Sequence, residues 1–236
     1  MPTVRTPILQ ITEGAEGVIP PPSGVQPDDL LLAFLAFEAN IWDATLTGGS
    51  PEWQPLTSAV TDNTTTYGIL ATGIWWKPAS AADTTWQIGR TSGNPPGIMA
   101  MAVAAISAAP LQAPAVTDSG EQKATSDLTT ITSPAGPAAA VGDLELRWVA
   151  GDHYVTSAVR SWTPPGSVTE LADISSNYIT AELTAQTLTT ASSPSRNHSV
   201  SPGVLAARGM TVRVRAVSSP GRPLTLQPAV HRAATW

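Results

Sequence analysis

The sequence predicts an all-β protein, a jelly-roll-like β-sandwich built from two sequence-related halves with extended terminal arms. Three observations carry this: the chain echoes itself, apolar residues alternate over short segments, and 22 prolines with 18 glycines punctuate it. Proline at that density excludes long helices, because each one removes a backbone donor and clashes with the preceding turn.

The echo begins with Pro27-Asp28-Asp29-Leu30-Leu31-Leu32, answered by Val141-Gly142-Asp143-Leu144-Glu145-Leu146. In the same order, Pro51 with Leu56 matches Pro165 with Leu171, and Thr66-Tyr67 matches Asn177-Tyr178. Pro96-Gly97-Ile98 matches Pro202-Gly203-Val204, and Ala105-Ile106-Ser107 matches Ala216-Val217-Ser218. The spacing drifts between about 106 and 115 residues, as loop insertions make it. That is the mark of a doubling and not of a solenoid array.

In chain order, residues 1–17 form an N-terminal arm or first strand, 18–217 the sandwich, and 218–236 an extended C-terminal arm. The halves are 18–109 and 127–217, joined by the mixed polar segment 110–126. Leu30 to Phe37 is apolar on both faces and could be a helix alone; its echo makes it a deeply buried strand. Thr65 to Lys77 and Asn177 to Thr189 are rich in β-branched and aromatic residues, as strands are. One short turn near Ser80 to Asp83 is the only helix allowed for. Gly142 to Ala150 alternates, with Leu144, Leu146, Trp148 and Ala150 on one face and Glu145 and Arg147 on the other, a half-buried strand. Ile179, Ala181, Leu183 and Ala185 share a face, as do Met210, Val212, Val214 and Ala216. Turn chemistry at Pro20–Gly24, Gly48–Pro51, Gly93–Gly97, Pro164–Gly166 and Ser201–Gly203 separates these runs. The total is roughly eleven to thirteen strands, the spacing of a β-sandwich. The halves either interleave into one sandwich or form two small ones. One is favoured, since neither half holds enough continuous apolar strand to fill two inner faces.

Hydrophobic residues make up 42% of the chain, enough for a core, while charged residues make up only 13%, about half the usual share. So neutral a surface suits either polar Thr and Ser faces or coverage by neighbours in an assembly, with a homo-oligomer expected. A net charge of −6 argues against nucleic-acid and anionic-membrane partners. Arg208, Arg213 and Arg215 form the only local basic run, and the last two, alternating along one strand, are read as a solvated strand face. With no cysteine, disulfides and thiolate metal sites are excluded. The Met1–Arg5 start lacks a signal-peptide core, and no apolar run approaches the roughly 18 residues of a membrane span.

Chemistry-bearing motifs are scarce. There is no Gly-x-Ser-x-Gly elbow, His-Glu-x-x-His, phosphate-binding glycine loop or EF-hand spacing, so no catalytic residue, metal ligand or cofactor is assigned. Gly151-Asp152-His153-Tyr154 is the one place where a carboxylate and a histidine adjoin. Glu145, Glu170 and Glu182 lie on strands, Glu145 and Glu182 on solvent faces, with nothing tying any two together for glycoside hydrolysis. Asp29 and Asp143 precede equivalent strands, and each is expected to bond turn amides and start its strand. The eight tryptophans are the interesting set. Strand alternation places Trp76 inward and Trp75 outward. Trp75, Trp42, Trp53 and the terminal Trp236 are therefore candidates for an interface or a glycan-stacking platform. Asn63-Thr64-Thr65 and Asn197-His198-Ser199 match the glycosylation pattern without a leader to give it weight.

An ordered set of motifs resembles a known family. It comprises Gly24-Val25-Gln26-Pro27-Asp28-Asp29-Leu30-Leu31-Leu32-Ala33, Pro51-Glu52-Trp53-Gln54-Pro55-Leu56, Ile74-Trp75-Trp76-Lys77-Pro78-Ala79, Asp83-Thr84-Thr85-Trp86 and Gly142-Asp143-Leu144. Together, over about Val18 to Val217, they resemble the β-sandwich minor tail and structural proteins of tailed bacteriophages of actinobacteria. Asp28 stands where that family commonly has Gly, and Pro164-Pro165-Gly166 lacks the tryptophan found at Trp53. The resemblance implies a non-enzymatic virion protein, assembled in the host cytoplasm and packing on other tail or capsid proteins. A minor tail protein is the first expectation. A head-decorating protein that clamps the lattice with its arms is the second, and a module binding host surface glycans or a receptor the third. The family transfers no catalytic residue.

Overall fold

The structure, a computed structural model, describes residues 1–6, 9–12, 17–38, 44–61, 70–81, 83–90, 99–153, 159–176 and 178–217. Among these every regular element is a strand. The first half holds β1 (Thr3–Val4), β2 (Leu9–Thr12), β3 (Gly17–Ile19), β4 (Leu30–Glu38) and β5 (Ala44–Thr47), then β6 (Gln54–Thr61), β7 (Leu70–Pro78), β8 (Trp86–Arg90) and β9 (Met99–Ser107). The second holds β10 (Ala115–Ser133), β11 (Leu144–Asp152), β12 (Ser161–Thr163), β13 (Thr169–Ser175), β14 (Ile179–Thr187) and β15 (Arg196–Val214). The allowed helix at Ser80 to Asp83 is a turn, closed by the Asp83 amide donating to the Ser80 carbonyl at 3.1 Å.

The two large sheets follow one plan. The first is ordered β1-β9-β4-β7-β6, with β2 also on β9, and the second β10-β15-β11-β14-β13. Registers agree as well: Leu30 faces Pro78 and Ile106 across its sheet, and Leu144 faces Thr187 and Val214 across the other. Every strand pairing among the described residues stays within residues 3–107 or within 115–214. The halves therefore do not interleave. Nor is 115–126 a connector, since it belongs to β10.

The sheets stack face to face. Leu30, Leu32, Phe34, Ala36 and Ile74 on one side meet Leu144, Leu146, Trp148, Leu183 and Val212 on the other, the faces that alternation predicts. Trp148 is fully buried, its ring centroid 5.8 Å from that of Phe34. An aromatic of that size withdraws on the order of 200 Å² from water, worth about 5 kcal/mol.

Both β4 and β11 are also buried on their other faces, so each sheet carries a second, outer layer. In the first half this is the three-stranded sheet β3-β8-β5, over Leu31, Ala33, Leu35 and Phe37. In the second half the long strands β10 and β15 supply it themselves. Their sheet portions pair Ala115 through Lys123 with Arg213 through Ala206. Beyond register shifts, Leu128 through Ser133 pair with Val204 through Arg196. Bulges of this kind bend a strand pair. Ser161–Thr163 adds a third strand along Ser201–Ser199. The returning ribbon lies directly on the sheet. A Cβ on Gly209 would sit 2.6 Å from the Thr132 carbonyl oxygen, and one on Gly151 would sit 2.7 Å from a Val204 methyl.

Four layers thus replace the single expected sandwich. The β-sandwich class holds, but the strand read as half-buried, Gly142 to Ala150, is buried on both faces, so each half has apolar surface for a second layer.

One turn recurs at the head of each central strand. The Asp29 carboxylate accepts the Gln26 amide at 2.8 Å, and the Asp143 carboxylate accepts the Ala140 amide at 3.0 Å. The Ala79 amide donates to the Asp29 carbonyl while the Ala79 carbonyl accepts the Asp28 amide, and Leu188 does the same with Asp143 and Gly142. The preceding residue is left-handed in both, Asp28 at φ 69° and Gly142 at φ 89°. Both aspartates therefore have the turn-forming role read from the sequence.

Candidate functional site

Among the described residues, the outer face of β11 and β14 carries the densest cluster of charged and polar side chains. Glu145 and Arg147 alternate with core residues on β11, and Glu182 and Thr184 do so on β14. All four are essentially inaccessible, contrary to the solvent-facing positions expected for Glu145 and Glu182. The ribbon and the segment around 193–196 cover them.

Arg147 is the hub. Its Nε donates to Glu145 Oε1 at 2.7 Å, Nη1 to Ser133 Oγ at 2.8 Å and the Pro134 carbonyl at 3.1 Å, and Nη2 to the Pro194 carbonyl at 2.6 Å and Ser193 Oγ at 3.3 Å. Burial lowers its guanidinium pKa from the ordinary value, and the hydrogen bond to Glu145 opposes that. Gln186 Nε2 donates to Glu145 Oε1 at 2.7 Å, and the Ser193 hydroxyl donates to Oε2. Arg196 bridges to Gln186 at 3.0 Å.

Beside this hub Ser133 Oγ lies 3.0 Å from His198 Nε2, and His198 Nδ1 contacts a Glu182 carboxylate oxygen. Serine, histidine and carboxylate in that order is the arrangement of an acyl-transfer triad. Here all three residues have no exposed surface, and the Arg147 guanidinium caps Ser133 Oγ. The chain of bonds ties the ribbon to the sheet and leaves no room at Oγ for an acyl group. The sequence reading missed it because its members come from β10, β14 and β15, and because period-two alternation says which face a residue takes, not what covers that face.

Strand alternation separates the tryptophans correctly but does not expose them. Trp76 packs, half-buried, against the core between the halves, while Trp75 enters the outer layer with only 5% of its surface exposed. Trp53, also 5% exposed, meets Trp86 edge to face at 5.0 Å, with Lys77 Nζ 5.7 Å above its ring. Lys77 is itself buried and paired with Asp83 at 2.5 Å. Trp75 and Trp53 therefore present no stacking face, because β3-β8-β5 covers the side that the sequence left open. Trp42 and Trp236 lie outside the described residues, as do Asn63-Thr64-Thr65 and the arm 218–236.

The Asp152–His153 pair is buried at the end of β11. Neither ring nitrogen of His153 has a hydrogen-bond partner. Burial, with the Arg160 charge adding to it, pushes its pKa down to about 4. No group of three or more acids and histidines with metal-binding geometry occurs among the described residues. Of the two arginines read as a solvated face, Arg215 is exposed but Arg213 is not. Arg208 forks onto Asp118 with contacts of 2.7 to 2.9 Å, and Arg213 is 9% exposed. Glu170 is raised from its ordinary pKa by burial first and by the neighbouring Glu182 charge second.

Searches against protein-family models, curated proteins and solved structures find no match to this chain.

Proposed function

We propose that this chain is a non-enzymatic structural protein of a tailed-phage virion, a minor tail protein that packs on other virion proteins. The observation that carries the reading is the strand order of the four-layer stack. In each half the order fits a jelly roll: β2-β9-β4-β7 over β3-β8-β5, and β10-β15-β11-β14 over the ribbon of β10, β15 and β12. Only β6 and β13 depart, pairing back onto β7 and β14. Jelly rolls recur in viral capsid and lectin domains.

A fold alone fixes no function, and two further observations support this one. Residues that could do acyl-transfer chemistry are sealed under the ribbon, and Trp75 and Trp53, the two candidate stacking tryptophans among the described residues, are covered. The motif resemblance points the same way. Capsid decoration is the second reading, in which the arms clamp neighbouring subunits.

Particles lacking the protein test the proposal. Deleting its gene from the phage genome that carries it should yield particles missing this chain, with defects in tail assembly or attachment. Normal particles whose composition never included the chain would overturn it.

A further inference from the structure

The geometry points to a binding site for an oxyanion, a carboxylate or phosphate, in the groove beside Arg213 and Arg215. A groove of about 400 Å³ lies between these arginines and the segment 110–115, with Gln112 on its wall. Arg213 is nine-tenths buried, and its Nε is enclosed with no hydrogen-bond partner. The nearest carboxylate oxygen, on Asp143, is 3.8 Å away, beyond hydrogen-bond length.

Both neighbouring acids are already committed. Asp143 accepts the Ala216 amide at 2.8 Å on one oxygen and the Ala140 amide at 3.0 Å on the other. Glu145, directly across the ladder from Arg213, is occupied by Arg147, Gln186 and Ser193. The segment 110–115 on the groove wall contains no Asp or Glu, so it supplies no side-chain carboxylate.

A buried guanidinium whose Nε makes no hydrogen bond and whose one ion-pair contact is 3.8 Å long is incompletely compensated, and a planar fork of donors matches two oxygens of one anion. Arg215, two residues on and exposed, adds a second positive charge to the same groove. This site is independent of the proposed virion role.

The test is titration of the full chain with inorganic phosphate and, separately, glutarate at constant ionic strength. Calorimetry and the Arg213 Nε–H NMR resonance are the readouts. One saturable site is expected, with the Arg213 resonance moving in step with occupancy. Arg213→Met should weaken it about tenfold or more, the value of a charge-assisted hydrogen bond. Arg215→Gln, at an exposed position, should weaken it severalfold and keeps the test valid if the Met variant does not fold. Saturation by phosphate alone identifies a phosphoryl ligand, and saturation by glutarate alone a carboxylate; either supports the site. No saturable binding of either anion, or affinity unchanged in the variants, overturns it.

Discussion

Replacing Arg147 with Met keeps the aliphatic stem and deletes every donor of the hub. Five hydrogen bonds to four other residues and one carboxylate partner disappear from a site with 1% exposure. The Pro134 and Pro194 carbonyls are left without these donors, and Glu145 keeps only Gln186 and Ser193. Breaking one side of a buried ion pair costs about 3–5 kcal/mol. At about 2–4 °C per kcal/mol for a chain of this size, Tm should fall by about 6–20 °C. Urea unfolding followed by tryptophan fluorescence reads the loss, since Trp148 and Trp162 are buried on opposite sides of the same sheet. The double variant Arg147→Met, Glu145→Gln should recover part of it, because the stranded carboxylate is gone. A loss below about 1 kcal/mol for Arg147→Met would refute the claim that the ribbon is held down by this residue.

Three further outcomes follow from the structure. Because the pKa of folded His153 is about 4 and that of an unfolded histidine about 6.5, the unfolded chain takes up the proton first. Stability is fully present above pH 6.5 and is lost as pH falls toward 4, by about 3 kcal/mol; His153→Leu should flatten that part of the urea-midpoint profile. Asp28→Gly should be neutral or stabilising by up to about 1 kcal/mol, whereas Gly142→Ala should cost about 1–2, because both positions are left-handed; thermal unfolding of the pair reads the opposite signs. Trp75→Ala should lose about 3–5 kcal/mol as a core truncation, measured by denaturant unfolding; an unchanged midpoint would contradict its burial.

Much of the fold was legible because period-two alternation is a local signal. Leu144, Leu146, Trp148 and Ala150, and likewise Ile179, Ala181, Leu183 and Ala185, all reach the predicted core. The Asp29 and Asp143 turns were legible for the same reason, since the bonds that define them span three residues. Cover was not legible. Whether Trp75 or Glu145 meets water depends on β3-β8-β5 and on the ribbon, which are placed by pairings remote in sequence. A polar face such as Glu145 and Arg147 reads as solvated, because local pattern gives no sign of a partner like Ser133 or Pro194. The Ser133–His198–Glu182 chain left no spacing motif at all, being assembled from three strands.

The most direct test of the virion role is electron microscopy of intact phage particles labelled with a gold-tagged antibody against this chain. The account predicts gold on the particles, concentrated on the tail; gold spread over the head would instead support the decoration reading. Particles that stay unlabelled, while denatured particles from the same preparation also lack the chain by immunoblot, would contradict the account.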